Sequence, residues 1–439
     1  MGFKLTVLLV MFVFTVFVCK ASIRLYNRII NPIIVCVIPF GLSCLMTTQY
    51  SSVLGDELDK GLLWLLCGIV IYIAAFSLTA PLRIGSGKRS KKENTNVVYK
   101  KNTVEILINA LCIMETLSFL ISFVTVYKIS GSIKAILVKS TWVRWQYLAR
   151  STPKPVAILT VFLSINTIVL ACLIPKAIQL RCKYIKLKLI YVVSLMLMDS
   201  IVTMSKEAFV VDIIMLIYAF SQYSAGIKTE FKMIKRSAIW IVVLMVILLI
   251  AVSVQRNYSV VKEYNSYWDM LKGTVNQYVT LPVIGFVLLL RYKDYSYGAL
   301  CFRPLLNILS YLGFGQRRPV IQEAVEGVTN VFTSFGNMYI DFGVAGILLL
   351  SVFFGAFLGA IYSLDNCNKL SKVAINSIVG MNMLFTFYDL QVIQTTYLFA
   401  MLYAVLLEIV IGKYLYTSEP NEEGKIVGIS KPKIRISKH

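Results

Sequence analysis

The stretch Thr329-Asn-Val-Phe-Thr-Ser-Phe-Gly-Asn-Met-Tyr-Ile-Asp-Phe-Gly343 closes a polar interval, roughly residues 255–335, in a chain that is otherwise dominated by apolar runs. The interval is rich in Arg, Lys and Tyr, and the quoted stretch leads directly into a long apolar run. Polar and membrane-compatible sequence therefore meet at this point. A protein that keeps one large basic loop in water, while the remainder suits lipid, is expected to carry out its chemistry in that loop.

Composition identifies the class of protein. Hydrophobic residues make up 58% of the 439 residues and charged residues only 15%, a balance that soluble domains do not have. Apolar stretches of about 20 residues, each long enough to cross roughly 30 Å of hydrocarbon, recur along the chain. The sequence therefore predicts an all-α, polytopic integral membrane protein without a separate water-soluble domain.

The apolar stretches predict about eleven membrane spans. These lie near residues 5–19, 29–47, 61–82, 104–127, 153–175, 189–204, 207–226, 237–254, 336–362, 373–389 and 394–415. The predicted organisation has four parts: a first group of spans within 1–254, a large extracytoplasmic loop over 255–335, a last group of spans within 336–415, and a basic tail over 416–439.

The positive charge indicates orientation rather than a nucleic-acid partner. The net charge is +22 at neutral pH, but the cations are divided among short loops between apolar runs, such as residues 83–103. Cytoplasmic loops of membrane proteins carry this excess of Lys and Arg, so we expect no nucleic acid to bind. Counting spans from these loops predicts an extracytoplasmic N-terminus and a cytoplasmic C-terminus.

Two segments fit this topology poorly. Residues 128–152 carry five cations, although the span count places them outside. Either a span is miscounted, or an anionic ligand keeps these cations there. Residues 275–290 are largely apolar but contain Pro282 and Gly285, so we expect a re-entrant or interfacial helix within the large loop rather than a further span.

Cations close to the membrane are energetically costly and are therefore candidates for function. Span counting places one group on the outer face, around and within the large loop: Lys206, Arg256, Arg291, Arg317 and Arg318. Arg offers a planar fork of donors and Lys a point charge, and both suit a phosphate-bearing lipid headgroup. Alternatively, these side chains reach toward lipid headgroups or pair with carboxylates of the loop.

The start of the following apolar run combines small residues with one acid. Gly343 and Gly346 allow backbone or ligand to come close. Asp341 stands at the start of the run, where its carboxylate would cap a helix or act in a site. Further along, Gly355 and Gly359 form a small-xxx-small pair, which is typical of helix packing rather than of chemistry.

This order of motifs resembles a known family. The order is a Ser-Lys-Glu link at 205–207, then Arg256 where the eighth predicted span ends, and then the large basic loop. The loop ends in Asn-Val-Phe-Thr, followed by Tyr-x-Asp-Phe-Gly-x-x-Gly. The pattern resembles the oligosaccharide repeat unit polymerases, the Wzy-type enzymes of O-antigen and capsule synthesis. Residues 330–346 carry the strongest match, and residues 278–313 fit more loosely.

The resemblance implies an all-helical fold of the lipid-linked-sugar glycosyltransferase (GT-C) type, in the bacterial cytoplasmic membrane. It implies transfer of an undecaprenyl-diphosphate-linked oligosaccharide to a sugar hydroxyl of a fresh repeat unit on the outer face. No cofactor is implied, and a chain-length regulator protein is an expected partner. The residues at matching positions are Lys206, Arg256, Arg291, Asn330, Thr333, Tyr339, Asp341 and Gly343.

Displacing a diphosphate from an anomeric carbon requires stabilised negative charge, which the cations would supply. The acceptor hydroxyl needs a base, and the single His of the chain, His439, lies in the tail. Carboxylates of the outer face remain, so Glu323, Glu326 and Asp341 are the predicted catalytic residues.

Other interpretations stay open. The acidic residues at 56–59 would suit a metal site, but we favour a solvated turn and expect no metal. An O-antigen ligase would use the same chemistry with another acceptor, although the loop lacks a His. A lipid-linked oligosaccharide flippase or other transporter is the third possibility, although we find no internal repeat of the kind that such carriers show.

Overall fold

The structure is a computed structural model that describes residues 2–80, 97–138, 142–143, 146, 154–203, 206–224, 227–232, 235, 243, 266–314, 331–362, 369–390 and 394–418. In chain order the helices are α1 (Gly2–Tyr26), α2 (Pro32–Thr47), α3 (Ser51–Leu54), α4 (Asp56–Thr79), α5 (Lys101–Ser130), α6 (Ile133–Val138), α7 (Lys154–Gln179), α8 (Ile185–Thr203), α9 (Lys206–Tyr223), α10 (Tyr267–Leu289), α11 (Arg303–Tyr311), α12 (Ser334–Ile361), α13 (Leu370–Leu384) and α14 (Thr395–Leu415). Two strands, β1 (Val97–Tyr99) and β2 (Tyr416–Ser418), pair antiparallel.

The structure confirms the predicted class, an all-α polytopic membrane protein. Seven helices within the described residues are long and apolar enough to cross a membrane. These are Thr6–Tyr26, Pro32–Leu54, Asp56–Thr79, Lys101–Ser130, Ser334–Ile361, Leu370–Phe387 and Thr396–Leu415. The spans predicted over 153–175, 189–204 and 207–226 correspond to α7, α8 and α9, which are helical but are not among the seven. The span predicted over 237–254 lies outside the described residues apart from isolated positions.

The bundle has two chemically different ends. We call the end where α2 finishes and α4 begins the acidic-loop end, because Asp56, Glu57 and Asp59 lie in the first turn of α4. The opposite end joins the starts of α5 and α8 with the finish of α14, and we call it the basic end. The described cations gathered there include Lys100, Lys101, Lys176, Arg181, Lys183, Lys186, Lys188, Lys369, Lys372 and Lys413.

Backbone contacts define the basic end. The Lys100 amide donates to the Leu415 carbonyl at 2.9 Å, and the Lys183 amide donates to Glu105 Oε1 at 2.6 Å. The β1–β2 pair lies next to these contacts and aligns Val97 with Ser418. The pair therefore ties the predicted basic loop 83–103 to the start of the predicted basic tail.

Helix α5 helps to place the cations of residues 128–152, which disagree with the predicted topology. It runs without a break for 30 residues, so no span is miscounted within it. Because its first residue lies at the basic end, Lys128 in its last turn lies toward the acidic-loop end. Lys134 follows in α6, whereas the side chains of the other cations of 128–152 lie outside the described residues.

Helix α4 is the central element of one hydrophobic core. Its fully buried apolar residues recur at alternating intervals of four and three, from Leu58 through Leu62, Leu65 and Ile69 to Phe76. This spacing places them along one face of a helix. The face packs on α1, α2, α10 and α12, so one stripe of α4 organises the elements that surround the acidic-loop end.

The glycine pair of α12 packs against α4, as the sequence predicts. A Cβ atom at Gly355 would overlap the Tyr72 carbonyl oxygen, and one at Gly359 would overlap the Phe76 carbonyl and the Thr79 hydroxyl. The two helix backbones therefore touch along this stripe. Small residues permit such close approach between helices in membranes.

We predict that Gly355→Val lowers the stability of the folded protein by about 1–3 kcal/mol, because the added atoms have no room against α4. Ala360→Val on the same helix is the matched control, since Ala360 is exposed. Unfolding temperature in detergent is the measurement. Equal losses in the two variants would contradict the close contact.

Candidate functional site

The apolar run predicted as a single span over 336–362 is two helices. Thr333 caps the first, because its hydroxyl oxygen accepts from the Gly336 amide at 3.2 Å. Helical geometry is interrupted at Phe342 (φ −144°, ψ 20°) and at Gly343 (φ 62°, ψ −147°). We call the first part, residues 334–341, the half-helix, and the second part, residues 344–361, the return helix.

The two parts form a hairpin. A Cβ atom at Gly346 would overlap the Met338 carbonyl, and Ser351 Oγ lies 3.6 Å from Met338 Sδ, so the two parts lie side by side. Phe335 packs against Gly68, close to the midpoint of α4. The half-helix therefore begins midway along α4, runs to the acidic-loop end and turns there.

The start of the half-helix brings polar groups into the bundle. Thr333, Ser334 and Asn337 are buried. The Ser334 hydroxyl donates to the Asp389 carbonyl at 3.0 Å, and the Asn337 amide group donates to the Asp389 carboxylate. This carboxylate also accepts from the Leu390 amide at 2.7 Å. A negative charge near the N-terminus of a helix complements the helix dipole. Asp389 thus provides hydrogen-bond acceptors at two places. One is the start of the half-helix, and the other is the irregular backbone between α13 and α14.

Asp341 provides the hydrogen-bond acceptors at the other end of the half-helix. Its carboxylate is fully buried and accepts from the Leu300 amide at 3.1 Å, the Cys301 amide at 2.7 Å and the Ser296 hydroxyl. The Tyr297 amide donates to the Asp341 carbonyl at 3.1 Å. We call residues 296–301 the clamped loop, because this one acidic residue holds them to the half-helix.

The contact with Asp341 affects the thiol of Cys301. Burial raises the pKa of the Cys301 thiol, and the charge of Asp341 raises it further. The group therefore stays a neutral thiol well above neutral pH, and its reactivity is low.

Tyr339 and Gly343 complete the hairpin's contacts with the large loop. The Tyr339 hydroxyl lies 3.3 Å from the Leu290 carbonyl and 3.2 Å from the Tyr292 carbonyl, so it serves the end of α10. Gly343 has a φ of +62°, and a Cβ atom there would lie 2.8 Å from the Tyr295 hydroxyl. Only glycine suits a position that combines this backbone conformation with so close a neighbour.

Arg291 lies two residues after α10 and bonds Glu57 at the start of α4. Its Nε lies 2.9 Å and 2.8 Å from the two carboxylate oxygens of Glu57. The Arg291 and Glu57 side chains are 40% and 38% exposed. Such an exposed ion pair contributes about 0–1 kcal/mol to stability.

The other end of the same segment also contacts the α2–α4 link. Asn276 donates to the Tyr50 hydroxyl at 2.9 Å and accepts from the Gln49 amide group at 2.9 Å. Both ends of 276–291 therefore lie at the acidic-loop end. These contacts support the interfacial placement of residues 275–290, which stays a prediction.

Charged and aromatic side chains are exposed beside Arg291. Tyr292, Lys293 and Asp294 are exposed, and Tyr297 is 79% exposed with a φ of +48°. A bulky residue with positive φ is held there by its surroundings, here by the bond from its amide to Asp341. We call residues 291–297 the presented strip. It places two cations and two exposed tyrosines at one end of the bundle.

The structure brings four of the predicted site residues to the acidic-loop end, namely Arg291, Tyr339, Asp341 and Gly343, whereas Thr333 lies at the opposite end of the half-helix. Lys206 opens α9, but its side chain lies outside the described residues. The remaining predicted positions lie outside them entirely: Arg256, Arg317, Arg318, Glu323, Glu326 and Asn330. Among the residues that the structure describes, no group of three or more His, Cys, Asp or Glu side chains is arranged to hold a metal ion.

The sequence assigned no role to Ser296 or to the Arg291–Glu57 pair, and it offered Asp389 only as one of several outer-face carboxylates, not as the partner of the half-helix. An acid at the last residue of the predicted span 373–389 was a signal for Asp389. No sequence signal indicates the ion pair, since its members are 234 residues apart.

Comparisons of the chain with models of protein families, with curated proteins and with solved structures found no match.

We predict that Asp341→Ala frees the clamped loop, because two amides and one hydroxyl lose their buried acceptor at a cost of about 1–3 kcal/mol each. Hydrogen exchange at Leu300 and Cys301 is the measurement, and it should become much faster. Ser296→Ala removes a single donor and should have a smaller effect. Unchanged exchange in Asp341→Ala would contradict the clamp.

Proposed function

We propose that the chain is a polymerase that joins undecaprenyl-diphosphate-linked oligosaccharide repeat units into O-antigen or a capsular or exopolysaccharide. The observation that carries the proposal is the presented strip, which Asp341 holds through the Ser296 hydroxyl and the Tyr297 amide. Exposed cations beside exposed tyrosines suit a diphosphate joined to sugars. Cations bind phosphate oxygens, and aromatic faces stack on sugar rings.

The motif that resembles the Wzy-type family supports the same proposal. Residues 331–346 form the hairpin that reaches the acidic-loop end, and its contacts position the presented strip. In this proposal the fold is of the GT-C type with about eleven spans. The acidic-loop end faces the outside of the bacterial cytoplasmic membrane, so the N-terminus is outside and the C-terminus cytoplasmic. A chain-length regulator protein is the proposed partner.

In the proposed reaction, the bond between the anomeric carbon and the diphosphate oxygen breaks, and the lipid diphosphate leaves with the electron pair. A hydroxyl oxygen of the acceptor repeat forms the new bond to that carbon, and its proton passes to a carboxylate. Arg291 stabilises the leaving diphosphate, together with Lys206, Arg256, Arg317 and Arg318. Fixed cations suit this task because the charge develops at a known place.

The contacts of Asp341 support a positioning role, because its oxygens already accept from three donors. We therefore assign the base to Glu323 or Glu326. In this assignment Asp341 acts on the reaction through the clamped loop, and Thr333, Tyr339 and Gly343 act through the shape of the hairpin, while Asn330 stays a predicted site residue.

We predict that Arg291→Ala reduces long surface glycan chains about tenfold or more, while single repeats are still made, because one charged hydrogen-bonding partner of the diphosphate is lost. Arg291→Lys should fall between, since the ammonium lacks the planar fork. The glycan of the native host, resolved by length on a gel, is the measurement.

Glu57→Ala is the matched control, because it breaks the same ion pair and keeps the cation. Long chains should persist in that variant. Equal shortening in Glu57→Ala and Arg291→Ala would mean that the pair has a structural role only, and Arg291 would leave the site. Repeat units trapped on the inner leaflet would indicate a flippase instead. Full-length polymer that remains on its lipid carrier would indicate a ligase.

A further inference from the structure

A groove lies between α5 and α8 on the surface of the bundle. Residues 109–113 of α5 and 187–194 of α8 line it, and its volume is about 710 Å³. Sites for small molecules have volumes of about 300–1,000 Å³. The groove is well away from the hairpin and the presented strip, which belong to the acidic-loop end.

The walls of the groove are suited to lipid. Ile113, Leu187 and Ile190 are 63%, 66% and 64% exposed. Ile113 belongs to α5, which is long and apolar enough to cross a membrane, so this wall of the groove is suited to acyl chains rather than water. A hydrogen bond of 2.7 Å between the Thr116 and Tyr191 hydroxyls joins the two helices beside the groove. These two polar groups therefore satisfy one another rather than require a ligand.

One cation reaches into this apolar site. Lys188 lines the groove from α8, and Cys112 lines it from α5. Lys188 lies in the first turn of α8, which begins at Ile185. The Lys183 amide bonds Glu105 one turn earlier, so this part of the groove opens at the basic end.

The groove is thus apolar along its length and positively charged at its mouth, the part that opens at the basic end. Arg181, Lys183 and Lys186 are exposed around that mouth and add to the positive potential. Asn109 supplies an amide group at the same level of α5. Basic pockets between membrane helices are suited to the headgroups of anionic lipids.

We propose that the groove binds one anionic phospholipid from the leaflet at the basic end. One acyl chain lies between α5 and α8, and the phosphate contacts Lys188 and Asn109 at the mouth. A zwitterionic lipid would carry a cationic group into the same field, and its affinity should therefore be lower. The proposal is independent of the proposed function, because it uses none of the residues of the hairpin or the presented strip.

The test uses the purified full-length chain in detergent, titrated separately with phosphatidylglycerol and phosphatidylcholine and examined by native mass spectrometry. The wild-type chain should retain phosphatidylglycerol preferentially. Lys188→Ala should weaken this retention about fivefold, the effect of one cation at a membrane surface. Lys186→Ala, on the same helix, removes the same charge without lining the groove, so it should weaken retention much less than Lys188→Ala.

A second variant tests the apolar part without altering charge. Ser194 lines the groove and is exposed, so Ser194→Phe should fill the groove while the chain still folds. Retention of phosphatidylglycerol should fall in this variant, although every cation is present. Equal weakening in Lys188→Ala and Lys186→Ala, equal retention of the two lipids, or full retention in Ser194→Phe would each overturn the proposal. Elution as a single species in size-exclusion chromatography confirms that each variant is folded.

Discussion

A carboxylate with no exposed surface needs donors from the protein, and Asp341 obtains them from the clamped loop. Its bonds to the Leu300 and Cys301 amides span about forty residues of chain and join the hairpin to the large loop. The Tyr339 hydroxyl and the close contact at Gly343 join the same two parts. The hydrogen bonds between the clamped loop and the Asp341 carboxylate fix the position of that loop. They thereby also fix the presented strip, which shares residues 296 and 297 with it.

The hairpin meets a second constraint, that backbone polar groups within a membrane must be satisfied by protein. The half-helix begins inside the bundle, where its first amides have no preceding turn to bond. Thr333 satisfies one of them, and Asn337 and Ser334 connect the same region to Asp389. Polar groups at the irregular backbone before α12 and at the irregular backbone after α13 therefore hydrogen-bond to each other. Neither stretch of irregular backbone would be expected to survive alone in an apolar environment.

The sequence predicts the features that depend on hydropathy over many residues. These include the membrane class, most helix positions and a helix-packing role for Gly355, though not its partner α4. It does not predict the hairpin, because residues 336–362 are predominantly apolar and a mean over a window does not register a reversal of direction. Gly343 was a local signal, but glycine in an apolar run also serves packing, as Gly355 does. The role of Asp341 was equally hidden, since the amides that it binds belong to a distant loop.

The ion pair of Arg291 with Glu57 bears on whether Arg291 is able to hold a diphosphate. If the pair were buried, breaking it would leave an uncompensated charge and cost several kcal/mol. Both side chains are instead more than one-third exposed, so water stabilises Glu57 once its partner leaves. An exposed pair contributes about 0–1 kcal/mol, so releasing Arg291 from Glu57 costs little. Under the proposed function, the guanidinium is therefore able to exchange the carboxylate for a diphosphate.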